Sequence, residues 1–179
     1  MTDSELIAKV AARDRWAFDQ LYDRYAQIIF NLCTRILKDE SEAEDVMQEI
    51  FLQIWREADR FDAARASVKT WVFTIARSRS LDRYRSRKTI QKRLEPTEDQ
   101  ELYQLSSLEN VEGSNLMQQY VSQALGQLSR EQRLVLQLSY YDGLTQEEIA
   151  QQLGEPLGTI KSRIRSALIK LRSLFSGEK

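Results

Sequence analysis

Residues 145–163 read TQEEIAQQLGEPLGTIKSR, and this stretch decides how the C-terminal part of the chain folds. Thr145 and Glu148 have the spacing of a capping box, in which the two side chains accept orphan amides at a helix start. Gly154 follows where a helix end needs a left-handed residue, and Pro156 suits the start of another helix. The stretch therefore predicts a short helix, a tight turn and a long helix, which is the helix-turn-helix pattern.

The second helix of this pattern has one apolar face and several polar ones. We expect the apolar face to bury Ile160, Ile164, Ala167, Leu168 and Leu171. Short hydroxyls and long cations on the other faces suit a major groove, since cations reach phosphates or guanine edges while hydroxyls allow close approach. The alternative is a helical hairpin with a basic rim. The candidate DNA-reading residues are Thr159, Lys161, Ser162, Arg163, Arg165, Ser166 and Lys170.

The composition predicts an all-α protein. The chain has 179 residues, 42% of them hydrophobic, and its 6 glycines all lie at Gly113 or later. A β-rich fold needs turn residues every 8–12 positions, so that architecture is excluded. We expect two small helical domains, 1–90 and 114–179, joined by a flexible linker at 91–113. The expected helices lie near 4–13, 18–36, 41–58, 67–88, 115–126, 129–141, 145–153 and 156–174, the third starting at a capping box, Ser41-Glu42-Ala43-Glu44.

Several classes of function are excluded by the residue types. The chain has no histidine and one cysteine, Cys33, which we expect to be a small core residue. Histidine-based acid–base catalysis, cysteine-rich zinc sites and an intrachain disulfide are thereby ruled out. No apolar run approaches 18 residues and the start lacks a signal peptide, so we expect a cytoplasmic protein without membrane insertion. No cofactor is predicted.

The net charge of −1 hides a strong alternation along the chain. Residues 39–62 hold nine acidic and two basic residues, whereas residues 65–93 hold ten basic residues and one acidic. Residues 94–113 are acidic again, and residues 155–174 hold five basic residues against one acidic. A polyanion responds to the local field within a Debye length of roughly 8–10 Å. The two basic segments are therefore candidate nucleic-acid contacts, with a solvated helix face as the alternative.

The predicted third helix has an apolar stripe for the core and a second stripe that is acidic. An acidic face with an outward Leu52 and Trp55 is typical of a docking surface, but both could equally pack under the first helix. A metal site made by the acidic residues of 39–45 is a weaker alternative. The second stripe consists of Asp45, Gln48, Glu49, Leu52 and Trp55, with Arg56 beside it.

These motifs together resemble a family, the extracytoplasmic-function sigma factors of bacterial RNA polymerase, of the type with regions 2 and 4 only. Residues 41–51 are similar to region 2.2, and Phe61 through Lys88, centred on Trp71, to regions 2.3 and 2.4. Residues 141–163 are similar to region 4.2. The resemblance covers about 15–90 and 115–175.

The resemblance implies a role for each segment. The chain would bind core RNA polymerase through the β′ clamp helices and the β flap, direct initiation at chosen promoters without being an enzyme, and be held by an anti-sigma factor. The acidic face would contact β′, and the recognition helix would read the −35 element. The loop 61–70 and the basic helix would capture and hold the melted −10 strand, through Phe61, Asp62, Arg65, Ser67, Lys69, Arg77, Ser78, Asp82, Arg83, Arg85, Arg87 and Lys88.

One position departs from the family, which often has Asn where this chain has Ser78. Serine lacks the amide pair that hydrogen-bonds a base edge, so the resemblance leaves the base preference there open. Two other functions stay possible on the residues alone. A helix-turn-helix regulator that acts without polymerase would explain the C-terminal unit but not the acidic face. A carboxylate-metal nuclease would use the acidic cluster, although no phosphate-binding loop is present.

Overall fold

The computed structural model describes residues 1–94 and 123–176, and the chain divides into two compact units, Met1–Thr97 and Glu98–Lys179. The first unit is a helical bundle in which α2 packs against the other three long helices. A short 3₁₀ turn, Ala58–Arg60, follows α3. The helices are α1 (Asp3–Ala11), α2 (Arg15–Leu37), α3 (Glu40–Glu57) and α4 (Val68–Leu94).

The core of the first unit contains the apolar stripe predicted for the third helix. Val46, Ile50 and Ile54 are fully buried, and α3 packs against α2, whose buried residues include Leu21 and Ile29. Helix α4 closes the bundle with Val72, Ala76 and Leu81, among others. The bundle therefore fixes the relative positions of α3 and α4, the two helices predicted to carry function.

Cys33 lies in this core, as expected. It is fully buried, and the hydroxyl of Ser80 donates a hydrogen bond to its sulfur at 3.3 Å. Burial raises the pKa of the Cys33 thiol, so the reactive thiolate is disfavoured. The expectation of a small core residue is confirmed.

The start of α3 differs from the expected capping box at Ser41. Asp39 is the N-cap, and its carboxylate accepts the amide of Glu42 at 2.9 Å. Ser41 lies two residues too far along, because the carboxylate of Asp39 already satisfies an orphan amide and favours the helix dipole. The predicted cap was therefore wrong, although the helix is where it was expected.

Helix α4 ends later than expected. Ser67, the residue before the helix, accepts the amide of Thr70 at 3.1 Å, and the helix continues to Leu94 instead of ending at Lys88. The first four residues of the predicted linker, 91–94, are therefore helical, since a basic segment without Gly or Pro does not interrupt a helix. The remainder of the linker, and the predicted helical residues 115–122, lie outside the described residues.

The second unit contains the predicted helix-turn-helix. Helical residues 123–126 precede α5 (Arg130–Tyr140), α6 (Gln146–Leu153) and α7 (Leu157–Ser176). The capping boxes at Ser129 and Thr145 are both present. Gly154 ends α6 in the left-handed region, with φ 64°. These local predictions are confirmed.

The core of the second unit is built from three helices. Ile149 of α6 and Ile160 and Ile164 of α7 pack with Val135 and Leu138 of α5. Ala167 is also buried, whereas Leu168, which we expected in the core, is 53% exposed. Within the described residues α7 packs against α5 and α6, and the core face of α7 is narrower there than the sequence pattern indicated.

The residues described here contain no β-strand, in agreement with the all-α prediction. None of the helices in residues 1–94 and 123–176 combines the length and the hydropathy that a bilayer-spanning segment needs.

Candidate nucleic-acid interface and docking face

One stripe of α4 is exposed and polar. Thr74, Ser78, Asp82 and Arg85 follow one another at helical spacing, and all four are exposed. The hydroxyl of Thr74 donates to the carbonyl of Thr70 at 2.8 Å, which leaves its oxygen able to accept. Hydroxyls, a carboxylate and a guanidinium on one stripe supply donors and acceptors for base edges and phosphates. This is the part of α4 best placed to meet a nucleic acid.

A second stripe of α4 faces α3 and is occupied by contacts within the protein. Arg79 donates to the side-chain oxygen of Gln53 at 2.7 Å. One turn later Arg83 donates to the carboxylate of Glu49, also at 2.7 Å. The basic segment therefore does not present all its cations to a ligand, because tertiary packing sorts them onto two faces.

Arg87 forms the next step of this ladder between α3 and α4. Its guanidinium donates to the carboxylate of Glu42 and to the main-chain carbonyl of Leu37, each at 3.0 Å. The Leu37 carbonyl belongs to the last turn of α2, where carbonyls lack helical partners. Arg87 therefore ties α4 to both α2 and α3, and its predicted contact with DNA competes with this structural role.

The loop before α4 is held by contacts of Phe61 and Asp62. Phe61 is half-buried, and its ring meets the edge of Trp71 at 5.7 Å between centroids. The carboxylate of Asp62 accepts a hydrogen bond from the amide of Ala64 at 2.9 Å and lies 3.4 Å from the guanidinium of Arg65. The exposed members of the candidate −10 set in residues 61–70 are Asp62, Arg65, Ser67 and, in the first turn of α4, Lys69.

The remaining candidates on α4 are half-buried. Arg87 and Lys88 lie over the ring of Tyr84, 5.8 and 5.7 Å from its centroid. Cations at this distance stabilise the ring position through its quadrupole. Arg77 is half-buried as well, so neither Arg77 nor Lys88 lies on the exposed stripe.

The predicted docking face of α3 is open to solvent except at one end. Asp45, Gln48 and Glu49 are exposed, and Leu52 is 51% exposed. Trp55 is half-buried, because its ring packs against Phe18 of α2 at 5.2 Å with an interplanar angle of 72°. Leu52 is exposed, as a docking face requires, whereas Trp55 is half-buried through a contact with α2, where the alternative placed both residues under the first helix.

The recognition helix α7 presents its predicted readers on one side. Lys161, Ser162, Arg165 and Ser166 are exposed, and Thr159 is half-buried near the start of the helix. Residues near the N-terminus of such a helix are those that reach base edges. The spacing of Ser162, Arg165 and Ser166 places them on neighbouring turns of one surface.

Two other candidates on α7 serve the fold. Arg163 pairs with Glu155 of the turn at 2.6 Å, and the two side chains are only 26% and 31% exposed. The ammonium group of Lys170 donates to the main-chain carbonyl of Gln127 at 2.5 Å. Arg163 therefore holds the turn against the recognition helix, and Lys170 caps the helix that ends at residue 126.

The comparisons with known proteins agree with this arrangement. Residues 21–90 match the Sigma-70 region 2 model and residues 124–173 the Sigma-70 region 4 model. The chain is 34% identical over 94% of its length, and 88% of the relative's, to the ECF RNA polymerase sigma factor SigK of Mycobacterium sp. (strain KMS). It is 33% identical to SigK of Mycobacterium tuberculosis (strain ATCC 25618 / H37Rv), covering 94% of this chain and 90% of that one. The chain belongs to the ECF RNA polymerase sigma factors.

A solved structure of the same kind is Rhodobacter sphaeroides SigE in complex with the anti-sigma ChrR. It is 31% identical to this sigma factor, covers 95% of this chain and 96% of that chain, and has a TM-score of 0.49. The family resemblance inferred from the sequence is confirmed. The chain is an alternative sigma factor that directs transcription initiation.

The acidic start of α3 gives this sigma factor no metal centre within the described ranges. Glu42 instead pairs with Arg87, and Asp39 caps the helix. No group of three His, Cys, Asp or Glu side chains in residues 1–94 and 123–176 is arranged to hold a metal ion.

Three residues of the sigma factor that act through other residues were not predicted from the sequence. Arg79 and Gln53 extend the ladder between α3 and α4, and Arg13 holds the end of α3 next to Trp55. No local pattern identifies them, since each partner lies 26 to 43 residues away along the chain. The region 2 match begins at residue 21, so Arg13 also lies outside the matched residues.

Proposed function

We propose that this sigma factor recruits core RNA polymerase through α3 and positions it with two DNA contacts, one in each unit. Residues 1–90 supply the polymerase contact and the −10 contact, and residues 114–179 supply the −35 contact. The observation that carries the proposal is the placement of an exposed acidic face on α3 and an exposed polar stripe on α4 in one helical bundle. Each surface suits a different partner.

The polymerase contact uses the acidic face. Asp45, Gln48 and Glu49 offer oxygen acceptors to a basic surface, and Leu52 offers exposed apolar area one turn further along the helix. Trp55 supplies the large aromatic that interface hot spots favour. The partner we propose is the β′ clamp helices, with the β flap contacting the second unit.

The −10 contact uses the loop and the exposed stripe of α4. A base extruded from the duplex costs a few kcal/mol, which pocket contacts and stacking recover. Ser78, Asp82 and Arg85 carry the strand contact, and the loop between Phe61 and Ser67 offers the place for an extruded base. Arg83 and Arg87 can contact the strand only after they release their carboxylate partners on α3.

The −35 contact uses α7 in the major groove. Thr159, Lys161, Ser162, Arg165 and Ser166 supply base and phosphate contacts, while Arg163 and Lys170 hold the helix in place. Because the two contacts lie in one chain, neither needs to be tight alone. The protein itself performs no chemistry, and it acts in the cytoplasm, where polymerase works.

An anti-sigma factor is the proposed regulator. The Rhodobacter SigE structure contains the anti-sigma ChrR, and the exposed apolar residues Leu52 and Leu168 offer surface to a partner of this kind. Such a partner would compete with polymerase for the same face of α3.

Capture of the β′ clamp helices tests the proposal. The unaltered chain is expected to be retained on immobilised clamp helices, while E49K and W55A lose retention. E44K changes the charge of the same helix by the same amount, outside the proposed stripe, and is expected to be retained. Equal retention of E49K and E44K would show that the acidic stripe does not carry the contact.

A further inference from the structure

Arg13 lies in the turn between α1 and α2, in an unusual backbone conformation. Its φ is 66°, which non-glycine residues seldom adopt. Its amide donates to the carbonyl of Val10 at 2.9 Å, so the turn closes tightly. Glycine adopts this conformation at lower cost than a residue with a side chain.

The side chain of Arg13 reaches the end of α3. Its guanidinium donates to the main-chain carbonyl of Trp55 and lies 3.5 Å from that of Arg56. These carbonyls belong to the last turn of the helix, where the helix itself supplies no partners and the dipole favours a cation. Arg13 therefore acts as a C-terminal cap supplied by a different part of the chain.

The same guanidinium also lies against the indole of Trp55. Its central carbon is 5.6 Å from the ring centroid, and Phe18 packs on the ring at 5.2 Å. The indole of Trp55 is thus held by the ring of Phe18 and by the guanidinium of Arg13, which also donates to the main-chain carbonyl of Trp55. Few interactions fix both the backbone and the ring of one residue.

We propose that Arg13 is a positioning residue for polymerase binding, because it sets the orientation of Trp55 on the docking face. This inference depends on the proposed role of Trp55. It assigns a function to the segment before α2, which lies outside the region 2 match. The guanidinium is required, since it is planar, stacks on the ring and has several donors, whereas a lysine ammonium is a compact point charge.

The test measures the dissociation constant of the full chain for purified core polymerase. R13G suits the left-handed backbone while removing the side chain, so it keeps the turn foldable. We expect R13G to bind about tenfold more weakly, a loss smaller than that of an interface hot spot because Trp55 itself is kept, and R13K to recover only part of the loss. R15A removes a neighbouring exposed cation and is expected to bind within about twofold of the unaltered chain.

A double-mutant cycle with W55A separates positioning from general stabilisation. If Arg13 acts through Trp55, R13G in the W55A background changes the dissociation constant by less than about twofold. An equal loss in both backgrounds, or binding of R13G at the level of the unaltered chain, overturns the inference. Failure of the unaltered chain to bind polymerase would instead overturn the proposed function on which it rests.

Discussion

Arg83 on α4 donates to Glu49 on α3 across 2.7 Å, and this contact joins the proposed DNA-binding helix to the proposed polymerase-binding face. The two side chains are 34% and 46% exposed, so water reaches the pair. Ion pairs of this exposure contribute about 0–1 kcal/mol. The pair is therefore weak enough to exchange partners, and a polymerase cation on Glu49 would loosen its hold on Arg83.

Replacing Glu49 by glutamine is expected to strengthen single-stranded DNA binding by the isolated protein. E49Q removes the charge that attracts Arg83 away from the phosphates, and the expected gain in affinity is about two- to fivefold at low salt. The measurement is fluorescence anisotropy with a labelled single-stranded oligonucleotide. In the R83Q background, E49Q is expected to give no gain in affinity for the oligonucleotide beyond the effect of the lost charge itself.

E44Q is the matched control for this experiment, because Glu44 is exposed on the same helix and the charge change is identical. Equal gains for E49Q and E44Q would mean that only the overall charge matters. The exchange of Arg83 between Glu49 and DNA would then be refuted.

Arg165 and Arg163 are expected to respond differently to removal. R165A deletes an exposed cation of the recognition surface and should weaken binding to a duplex selected by the unaltered chain by about 1–3 kcal/mol. R163A deletes the partner of Glu155, so it should lower the free energy of unfolding while changing DNA affinity less. Binding titrations at several salt concentrations and urea unfolding provide the two measurements, and a reversed order of effects would contradict the assignment.

Two glycines of the second unit should respond to alanine with opposite signs. Gly154 has φ 64°, so G154A should lower the free energy of unfolding by about 1–2 kcal/mol although the new methyl group would meet no atom within 4 Å. Gly158 lies inside α7, where an added methyl group would also meet no atom within 4 Å. G158A should therefore raise the free energy of unfolding by about 0.4–1 kcal/mol. Urea unfolding of the two variants checks both signs, and equal effects would mean that the left-handed turn is not required.

The docking of α1 should weaken in acid. Burial disfavours the Asp3 carboxylate, but hydrogen bonds from Tyr25 and Arg24 outweigh burial and hold the pKa of Asp3 below its ordinary 3.8. The stability from a lowered pKa is complete above the unfolded pKa of about 3.9 and is lost as the pH falls through the folded pKa. D3N should therefore unfold at a lower temperature than the unaltered chain at pH 7, and the difference should shrink below about pH 4.

D23N is the control for this comparison, since Asp23 is an exposed carboxylate on α2. It should show little difference from the unaltered chain at either pH. A constant gap between D3N and the unaltered chain across the acid range would contradict the proposed linkage.

The sequence predicted those features that depend on near neighbours along the chain. The capping box of Thr145 and Glu148 and the left-handed Gly154 involve residues a few positions apart, so their chemistry is visible in the sequence. The same kind of reasoning assigned the cap of α3 to Ser41 instead of Asp39, because both side chains are good acceptors. Which of the two caps the helix depends on where α2 ends and α3 begins in the folded chain.

The sequence did not predict which cationic side chains already have a carboxylate partner within the protein. Arg83 and Arg163 each look like a DNA contact when read along the helix, yet each has a carboxylate partner. The partner of Arg83 is 34 residues away, and only packing of α3 against α4 brings it near. Leu168 was misassigned for the same reason, since burial depends on what covers a helix face.

Transcription by core RNA polymerase on a fragmented genomic DNA library tests the central claim most directly, with RNA 5′ ends mapped by sequencing. Addition of this sigma factor should create discrete new start sites, preceded by two shared sequence elements at a fixed spacing. Polymerase that initiates at the same positions and frequencies with and without the protein would contradict the account.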